Sequence, residues 1–174
     1  MTLPLSLTEE QILTGLRAFL LAVCPEGTEV VQGQDNRVPM PAAANFIVMT
    51  PAQRVQLSTT ATEYDASAGT KEVSRSTSLH FQLDIYGPAA SDITQVITTL
   101  FRDAYGASFL ADYGLGALYC DDGQQMPLVT GEDQWLQRWM MRGVLQTNLG
   151  VMIPATFSDQ LDLSVIVADA PGAP

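Results

Sequence analysis

The chain has 174 residues, of which 47% are hydrophobic and 16% charged. This composition is apolar enough to fill a core and too apolar for a disordered chain, and the length suits one domain better than two. The 19 acidic and 8 basic side chains give a net charge of −11. Broad contact with DNA or RNA phosphates is therefore disfavoured, because lysine and arginine supply the counterion-release energy of such binding.

The acidic balance leaves two interpretations open. Net charge far from zero keeps a protein soluble by suppressing non-specific association. Alternatively, the acidity forms a face or lumen that DNA passes without sticking. Apolar runs such as residues 19–23 are far shorter than the roughly 20 residues of a membrane span, and no basic segment precedes a hydrophobic one at the N-terminus. We expect neither a membrane span nor a secretory signal.

Cysteine and lysine are both scarce in the sequence. Cys24 and Cys120 lie among apolar neighbours without CxxC spacing, which predicts buried, reduced thiols and leaves a disulfide open. Lys71 is the single lysine, while serine, threonine and glutamine are frequent. Uncharged polar side chains lose less on desolvation than charged ones, so this surface is suited to burial against a partner.

The first predicted element is a helix that Ser6 and Thr8 open. Each is followed three residues later by Glu9 or Gln11, the spacing of a capping box. Pro25 ends the run, since proline interrupts a helix interior. The predicted buried face recurs at helical spacing and comprises Ile12, Leu13, Leu16, Phe19, Leu20 and Val23.

Residues 25–44 predict a long connection, because proline and glycine recur through them. A short strand is expected within it at Glu29 to Gln32. Residues 45–50 then predict a buried strand, which we expect Pro51 to end.

The clearest pattern is a period-two alternation from residue 73 to residue 86. It predicts a long strand with one polar face. A second alternation lies upstream at residues 55–62, and turn-forming residues 65–70 separate the two. We therefore predict one long antiparallel hairpin over residues 54–86 with a mobile tip. The apolar face of the second strand would contain Val73, Leu79, Phe81, Leu83 and Ile85.

A second helix is predicted after Gly87-Pro88, with Ser91 or Asp92 as its cap. Tyr105-Gly106 is expected to close it. The predicted apolar face comprises Ile93, Val96, Ile97, Leu100, Phe101 and Ala104.

The remaining elements are predicted to be short, apart from one strand. A helical turn is expected at 109–113, a strand at 115–120 ended by Asp121-Asp122-Gly123, a long strand at 135–149, and a final strand at 161–167 after Pro154. The order of elements indicates an α+β fold in which a mostly antiparallel sheet packs against two main helices. We expect one domain over residues 1–169 and a flexible tail at 170–174.

Catalytic and metal sites find little support in the sequence. His80 is the only histidine and is expected on the polar face of a strand, where a surface role is favoured over catalysis. Asp121-Asp122 and Glu132-Asp133 are typical of solvated turns. The glycines form no phosphate-binding run. We therefore expect no enzyme activity, no metal and no cofactor.

Trp135, Arg138, Trp139 and Arg142 alternate along one predicted strand. Tryptophan and arginine are enriched in interface hot spots, but tryptophans also fill cores, and the pattern favours neither interpretation.

From residue 45 to residue 167, the sequence resembles the neck and tail terminator proteins of tailed bacteriophages. The resemblance is carried by the strand ending Leu83-Asp84-Ile85-Tyr86-Gly87-Pro88, by the following helix through Leu100-Phe101-Arg102, and by the order of later segments. Those segments are Leu118-Tyr119-Cys120-Asp121-Asp122, Gly131-Glu132, the strand Gln134-Trp135-Leu136-Gln137-Arg138-Trp139, and Gln146-Thr147-Asn148.

The resemblance implies a structural virion protein that forms a ring, usually sixfold, at the head-proximal end of the tail. Such a ring stops tail-tube polymerisation and joins the tube to the head-neck connector around a channel for DNA. The expected partners are further copies of the chain, the tube protein, connector proteins and, in a contractile tail, the sheath; no membrane is involved. The location would be the virion, after synthesis in the host cytoplasm. The predicted subunit or tube interface comprises Arg54, Tyr64, Asp65, Lys71, Arg75, Trp135, Arg138 and Arg142.

Other functions remain open at this point. The Pro-rich segment 25–41 departs from the terminator pattern, so another neck component, such as a head-completion or collar adaptor protein, is an alternative. A monomeric acidic DNA mimic or binding module is a second. A hydrolase using His80 and Asp84 is a third, but four residues of strand separate these side chains by about 13 Å.

Overall fold

The computed structural model describes residues 5–34, 39–129 and 135–156. The predicted strand at 161–167 and the predicted tail at 170–174 lie outside the described residues. Within them, the α+β fold class is confirmed. The helices are α1 (Glu9–Val23), α2 (Ala90–Leu100) and α3 (Ala104–Ala111), and the strands are β1 (Glu29–Gln32), β2 (Phe46–Gln56), β3 (Ala61–Asp65), β4 (Thr70–Tyr86), β5 (Gly116–Cys120), β6 (Gln124–Gln125), β7 (Leu128–Val129), β8 (Trp135–Leu136) and β9 (Arg138–Pro154).

Helix α1 begins with the predicted capping box. The Thr8 hydroxyl accepts from the Gln11 backbone N–H at 3.3 Å, and the Gln11 side chain accepts from the Thr8 N–H at 2.8 Å. Two amides of the first turn are thereby satisfied. Ser6 has a different role, because its backbone N–H donates to the Gly150 carbonyl and its hydroxyl accepts from the Gly150 N–H, both at 2.9 Å.

Among the described residues, the main sheet has seven strands, with a central order β1-β2-β4-β9-β5. β3 pairs with β4, and β6 pairs with β9. β1 and β2 are parallel, and the other pairings of this sheet are antiparallel. β7 and β8 form a separate two-stranded sheet. The prediction of a mostly antiparallel, mixed sheet is confirmed.

Pro51 does not end the second strand, contrary to the prediction. β2 continues to Gln56, and its register with β4 shifts between Pro51 and Gln53. β1 pairs with β2 only from Phe46 to Met49. Pro51 therefore lies beyond the end of the β1–β2 pairing, where β1 does not need a backbone N–H from it. Strand edges and bulges of this kind tolerate proline.

The predicted long hairpin is interrupted on its first side. Residues 57–60 lie outside the strands, so that β2 and β3 pair separately with β4. β9 is longer than expected and pairs with β4 from Tyr86 to Thr70. The distal part of the hairpin is therefore a three-stranded unit. We call this unit the arm, defined as residues 61–76 and 148–154.

The second helix differs from the prediction at both ends. Its N-cap is Ala89 and carries no side-chain hydrogen bond, so neither Ser91 nor Asp92 caps it. It ends at Leu100, and Ala104 belongs to α3. The Asp103 side chain accepts from the Tyr105 N–H at 2.9 Å, which starts a new helix where closure was predicted.

Most of the hydrophobic core lies between one face of the sheet and the helices. The Phe101 ring meets Phe19 and Phe81 edge to face, with centroid distances of 6.1 and 5.8 Å. Gly143 lies opposite Phe81, and a Cβ at that glycine would overlap the phenyl ring. Leu83 is 1% exposed, as predicted, whereas Val96 is 39% exposed although it was placed on the apolar face of the helix. The arm contributes no residue to this core among those that the structure describes.

Candidate assembly surfaces

Strand register determines which arm residues share a face. Directly opposed residues in a sheet project to the same side, and neighbours along a strand alternate. In β4, Leu79, Phe81 and Leu83 pack under the helices. The odd-numbered residues Lys71, Val73 and Arg75 therefore continue this face onto the arm, and the even-numbered residues form the other face. We call these the helix side and the open side of the arm.

The helix side of the arm is cationic and apolar. Lys71 lies opposite Tyr64 on β3, and its Nζ is 5.9 Å from the centre of the Tyr64 ring. Arg75 is exposed and donates weakly to the Gln56 side chain at 3.5 Å. β9 adds apolar side chains, with Ile153 opposite Lys71.

The open side of the arm is acidic. Glu63 and Glu72 are directly opposed across β3 and β4, and Met152 lies opposite Glu72 on β9. With Asp65 and Thr70 they line a concavity of about 470 Å³. Glu72 also lies over Gly150, where a Cβ would collide with its carboxylate. Because Gly150 has no side chain, the Glu72 carboxylate has room to lie over it.

Asp65 closes the turn at the end of the arm. Its Oδ1 accepts from the Ser67 hydroxyl at 2.6 Å and from the backbone N–H groups of Ser67 and Ala68 at 2.9 and 3.1 Å. These donors stabilise the carboxylate and lower its pKa, with the Ser67 hydroxyl as the largest contributor. Asp65 thus has a local structural role in the turn, in addition to its position at the predicted interface.

Arg54 lies away from the arm and pairs with helix α1. Its Nη2 is 2.6 Å from the Glu9 Oε2, and both side chains are about half exposed. An exposed pair of this kind contributes on the order of 0–1 kcal/mol to stability.

Arg138 lies opposite Tyr86, on the face of the main sheet that continues the open side of the arm. Its guanidinium is 5.8 Å from the Tyr86 ring centre and donates to Asp84. The hydrogen bond to Asp84 raises the pKa of Arg138. Burial raises the pKa of Tyr86 as well. Arg138 therefore holds two strands of its own subunit together, a role that its position in the predicted interface did not suggest.

Trp135 is the most exposed of the large hydrophobic residues that the structure describes, at 75%. It lies opposite Val129 in the small β7–β8 sheet, and Met126 and Leu128 nearby are also exposed. Trp139, by contrast, packs against the core. Trp139 therefore fits the core interpretation, whereas Trp135 lies outside the core and its place in an interface stays a prediction.

His80 and Asp84, the pair considered for a hydrolase, have separate partners. The His80 Nε2 lies 3.4 Å from the Ser78 hydroxyl, while Asp84 is bound by Gln82 and Arg138. Arg142 is exposed on β9, beside Asp121 and Asp122 in a small concavity. Among the described ranges, no group of three or more His, Cys, Asp or Glu side chains is arranged to hold a metal ion. In those same ranges, no helix is long and apolar enough to cross a membrane.

The predicted interface residues therefore fall into separate groups. Tyr64, Asp65, Lys71 and Arg75 come together on the arm. The others lie apart, on α1's side of the sheet, in the small sheet and on the open side of β9: Arg54, Trp135, Arg138 and Arg142.

Sequence reasoning missed the contribution of β9 to the arm. Glu72 and Met152 are brought together only by its register. One signal was present, because Leu149, Val151 and Ile153 alternate with Gly150 and Met152 before Pro154.

Comparison with known proteins agrees with this architecture. The family model described as phage neck terminator protein matches residues 10–170. The fold resembles the PVC sheath/tube terminator of an extracellular contractile injection system, solved by cryo-EM in its extended state. The two share 12% sequence identity and a TM-score of 0.54; the match covers 95% of this chain and 66% of the solved chain. The chain thus spans slightly less than two thirds of that structure's length.

A search of curated proteins finds no match. The structural likeness, at this low identity, establishes the fold. The family match extends over nearly the whole sequence and includes both the helical layer and the arm. The chain belongs to the phage neck terminator protein family.

Proposed function

We propose that this protein is a non-catalytic structural subunit that forms a ring at the head-proximal end of a phage tail. The ring ends tail-tube polymerisation and joins the tube to the head-neck connector, with a central channel for DNA. The observation that carries this proposal is the family match over residues 10–170, supported by the fold shared with a sheath/tube terminator. We propose that residues 1–169 act as one domain in this ring.

The shape and charge of the subunit suit such a ring. Beyond Thr77, the last fully buried residue at that end of β4, strand residues 70–76 extend for about 20 Å at 3.3 Å per residue. An arm of this length reaches beyond the subunit's own core to a neighbour. Identical head-to-tail contacts close into a ring when the rotation between subunits divides a full turn, and closure stops growth.

A net charge of −11 favours passage of DNA over binding. Acidic side chains around a channel repel phosphates and release no counterions, so DNA moves without being held. The exposed Trp135 and its apolar neighbours offer a second contact surface, which we assign to the tube or sheath. Tryptophan and methionine are enriched at the buried centres of interfaces.

Native mass spectrometry of the purified chain, alone and with the tail-tube protein of the same phage, tests the assembly. A closed ring of defined size, formed freely or on tube ends, is the expected result. A chain that stays monomeric in both samples would overturn the proposal and favour an acidic binding module. Binding to the connector but not to the tube would instead indicate an adaptor position in the neck.

A further inference from the structure

The two faces of the arm carry opposite charge. The helix side has Lys71 and Arg75, whereas the open side has Glu63, Asp65 and Glu72. Side chains on opposite faces of a sheet point apart, so these charges cannot neutralise one another within the arm. The two ion pairs among the described residues are Arg54 with Glu9 and Arg138 with Asp84, and neither involves the arm.

The acidic face is unfavourable in an isolated subunit. Glu63 and Glu72 lie directly opposite each other, and like charges in this position destabilise strand pairing. The nearby Met152 is 56% exposed to water. A cationic surface packed over this face would relieve the repulsion and cover the methionine.

The cationic face has the properties that such a surface needs. Lys71 lies over the Tyr64 ring, and Ile153 lies beside it on β9. The Lys71 charge thus lies beside aromatic and aliphatic side chains. Tyr64 itself is 62% exposed, so this apolar surface is accessible to a partner.

We propose that the arm of one subunit packs on the arm of the next, with the Lys71 and Arg75 face of one copy against the Glu63 and Glu72 face of its neighbour. This contact rests on the ring proposed above and specifies how its subunits meet. Because the two faces differ, the contact is head-to-tail, the type that closes into a ring. The pairing of opposite faces also fixes how each subunit is oriented relative to the next, because faces of like charge repel.

Charge reversal on each face gives a direct test. The variant E63K/E72K has two cationic faces, and the variant K71E/R75E has two acidic ones. Each variant alone should remain monomeric under conditions where the wild type forms its ring. Mixed in equal amounts, they should form rings with an even number of subunits in strict alternation. Native mass spectrometry resolves the two masses and counts each kind.

The control variant E26K/D112K has the same charge change as E63K/E72K, at exposed positions outside the arm. It should assemble like the wild type. The four-fold exchange E63K/E72K/K71E/R75E restores opposite faces and should recover the ring. As a measurement without mutation, the wild-type ring should dissociate as salt rises from about 0.05 M to about 1 M, where screening shortens to about 3 Å.

The outcomes separate this contact from the proposed function. If the wild type forms rings and either E63K/E72K or K71E/R75E alone also forms rings, the arm contact is overturned and the proposed terminator ring is not. A mixture that fails to recover assembly, with both variants folded, would overturn it equally. If the variants failed to fold, a wild-type ring that does not dissociate at high salt would overturn the arm contact. A wild type that forms no ring, alone or on the tube, would overturn both proposals.

Discussion

Arg138 donates to a single oxygen of Asp84 from two nitrogens, with Nε at 3.0 Å and Nη2 at 2.8 Å from Oδ1. The Asp84 side chain is 9% exposed and that of Arg138 is 24% exposed. Gln82 donates to the second carboxylate oxygen at 2.9 Å. These bonds link the end of β4 to the start of β9, close to the small β7–β8 sheet.

Removal of the arginine should therefore destabilise the subunit. In R138A, the buried Asp84 carboxylate would lose both hydrogen bonds from the arginine and keep the one from Gln82. Breaking one side of a buried pair costs about 3–5 kcal/mol, and the partial exposure of Arg138 favours the lower end. Urea unfolding followed by circular dichroism measures the change. R142A, on the exposed part of the same strand, is the matched control and should stay within about 0.5 kcal/mol of wild type. Equal stability of the two variants would contradict this role for the pair.

Truncation of Phe101 tests the position of the core. Its ring is 1% exposed and contacts two other phenylalanines, so F101A should lose about 3–5 kcal/mol of unfolding free energy. Val96 lies in α2, the helix that ends just before Phe101, and is 39% exposed. V96A should change the stability by less than about 0.5 kcal/mol. A Tm for F101A equal to that of V96A would show that the helix packs differently.

Two glycines of β9 should respond differently to alanine. In G143A the new methyl group meets the ring of buried Phe81, which cannot move freely, and we expect a loss of about 1–3 kcal/mol. In G150A the methyl group meets the Glu72 carboxylate, the end of a flexible side chain. Its stability should stay within about 1 kcal/mol of wild type, but displacement of Glu72 should weaken ring formation. Thermal unfolding and native mass spectrometry, run side by side, separate the two effects.

The thiols should react slowly in the folded protein. Burial raises the pKa of Cys24 to about 11, and burial followed by the nearby Asp121 raises that of Cys120. The thiolate is the reactive form, so both should resist a disulfide reagent at pH 8 until the chain unfolds. Because the folded pKa of Cys24 lies above its ordinary value of 9.0, its contribution to stability is complete below pH 9 and is lost as the pH rises towards 11. Rapid reaction of the native protein at pH 8 would contradict this burial.

Local patterns were sufficient for the elements whose signals are contained in their own residues. The capping box of α1 and the alternation of β4 depend on neighbours three and two positions away, and both predictions are confirmed. Pro51 and the second helix were predicted wrongly because other parts of the chain decide them. The end of β1 frees the strand edge at Pro51, and the Asp103 cap starts α3 where a helix end was expected.

The candidate surface depended on the pairing of distant strands, which the sequence does not reveal. Asp84 and Arg138 are 54 positions apart, so the internal role of that arginine was not predictable from either residue. The two charged faces of the arm require the register of β3, β4 and β9 together. By contrast, the choice of Tyr64, Asp65, Lys71 and Arg75 needed only the recognition of a projecting hairpin.

The most direct test of the terminator role is the growth of tail tubes in the presence of this protein. Purified tube protein would be polymerised with and without the chain, and tube lengths and ends compared by cryo-electron microscopy. A terminator should give tubes that stop growing, each with a ring of this protein on one end. Tubes of unchanged length with bare ends, formed beside a folded and soluble chain, would contradict it.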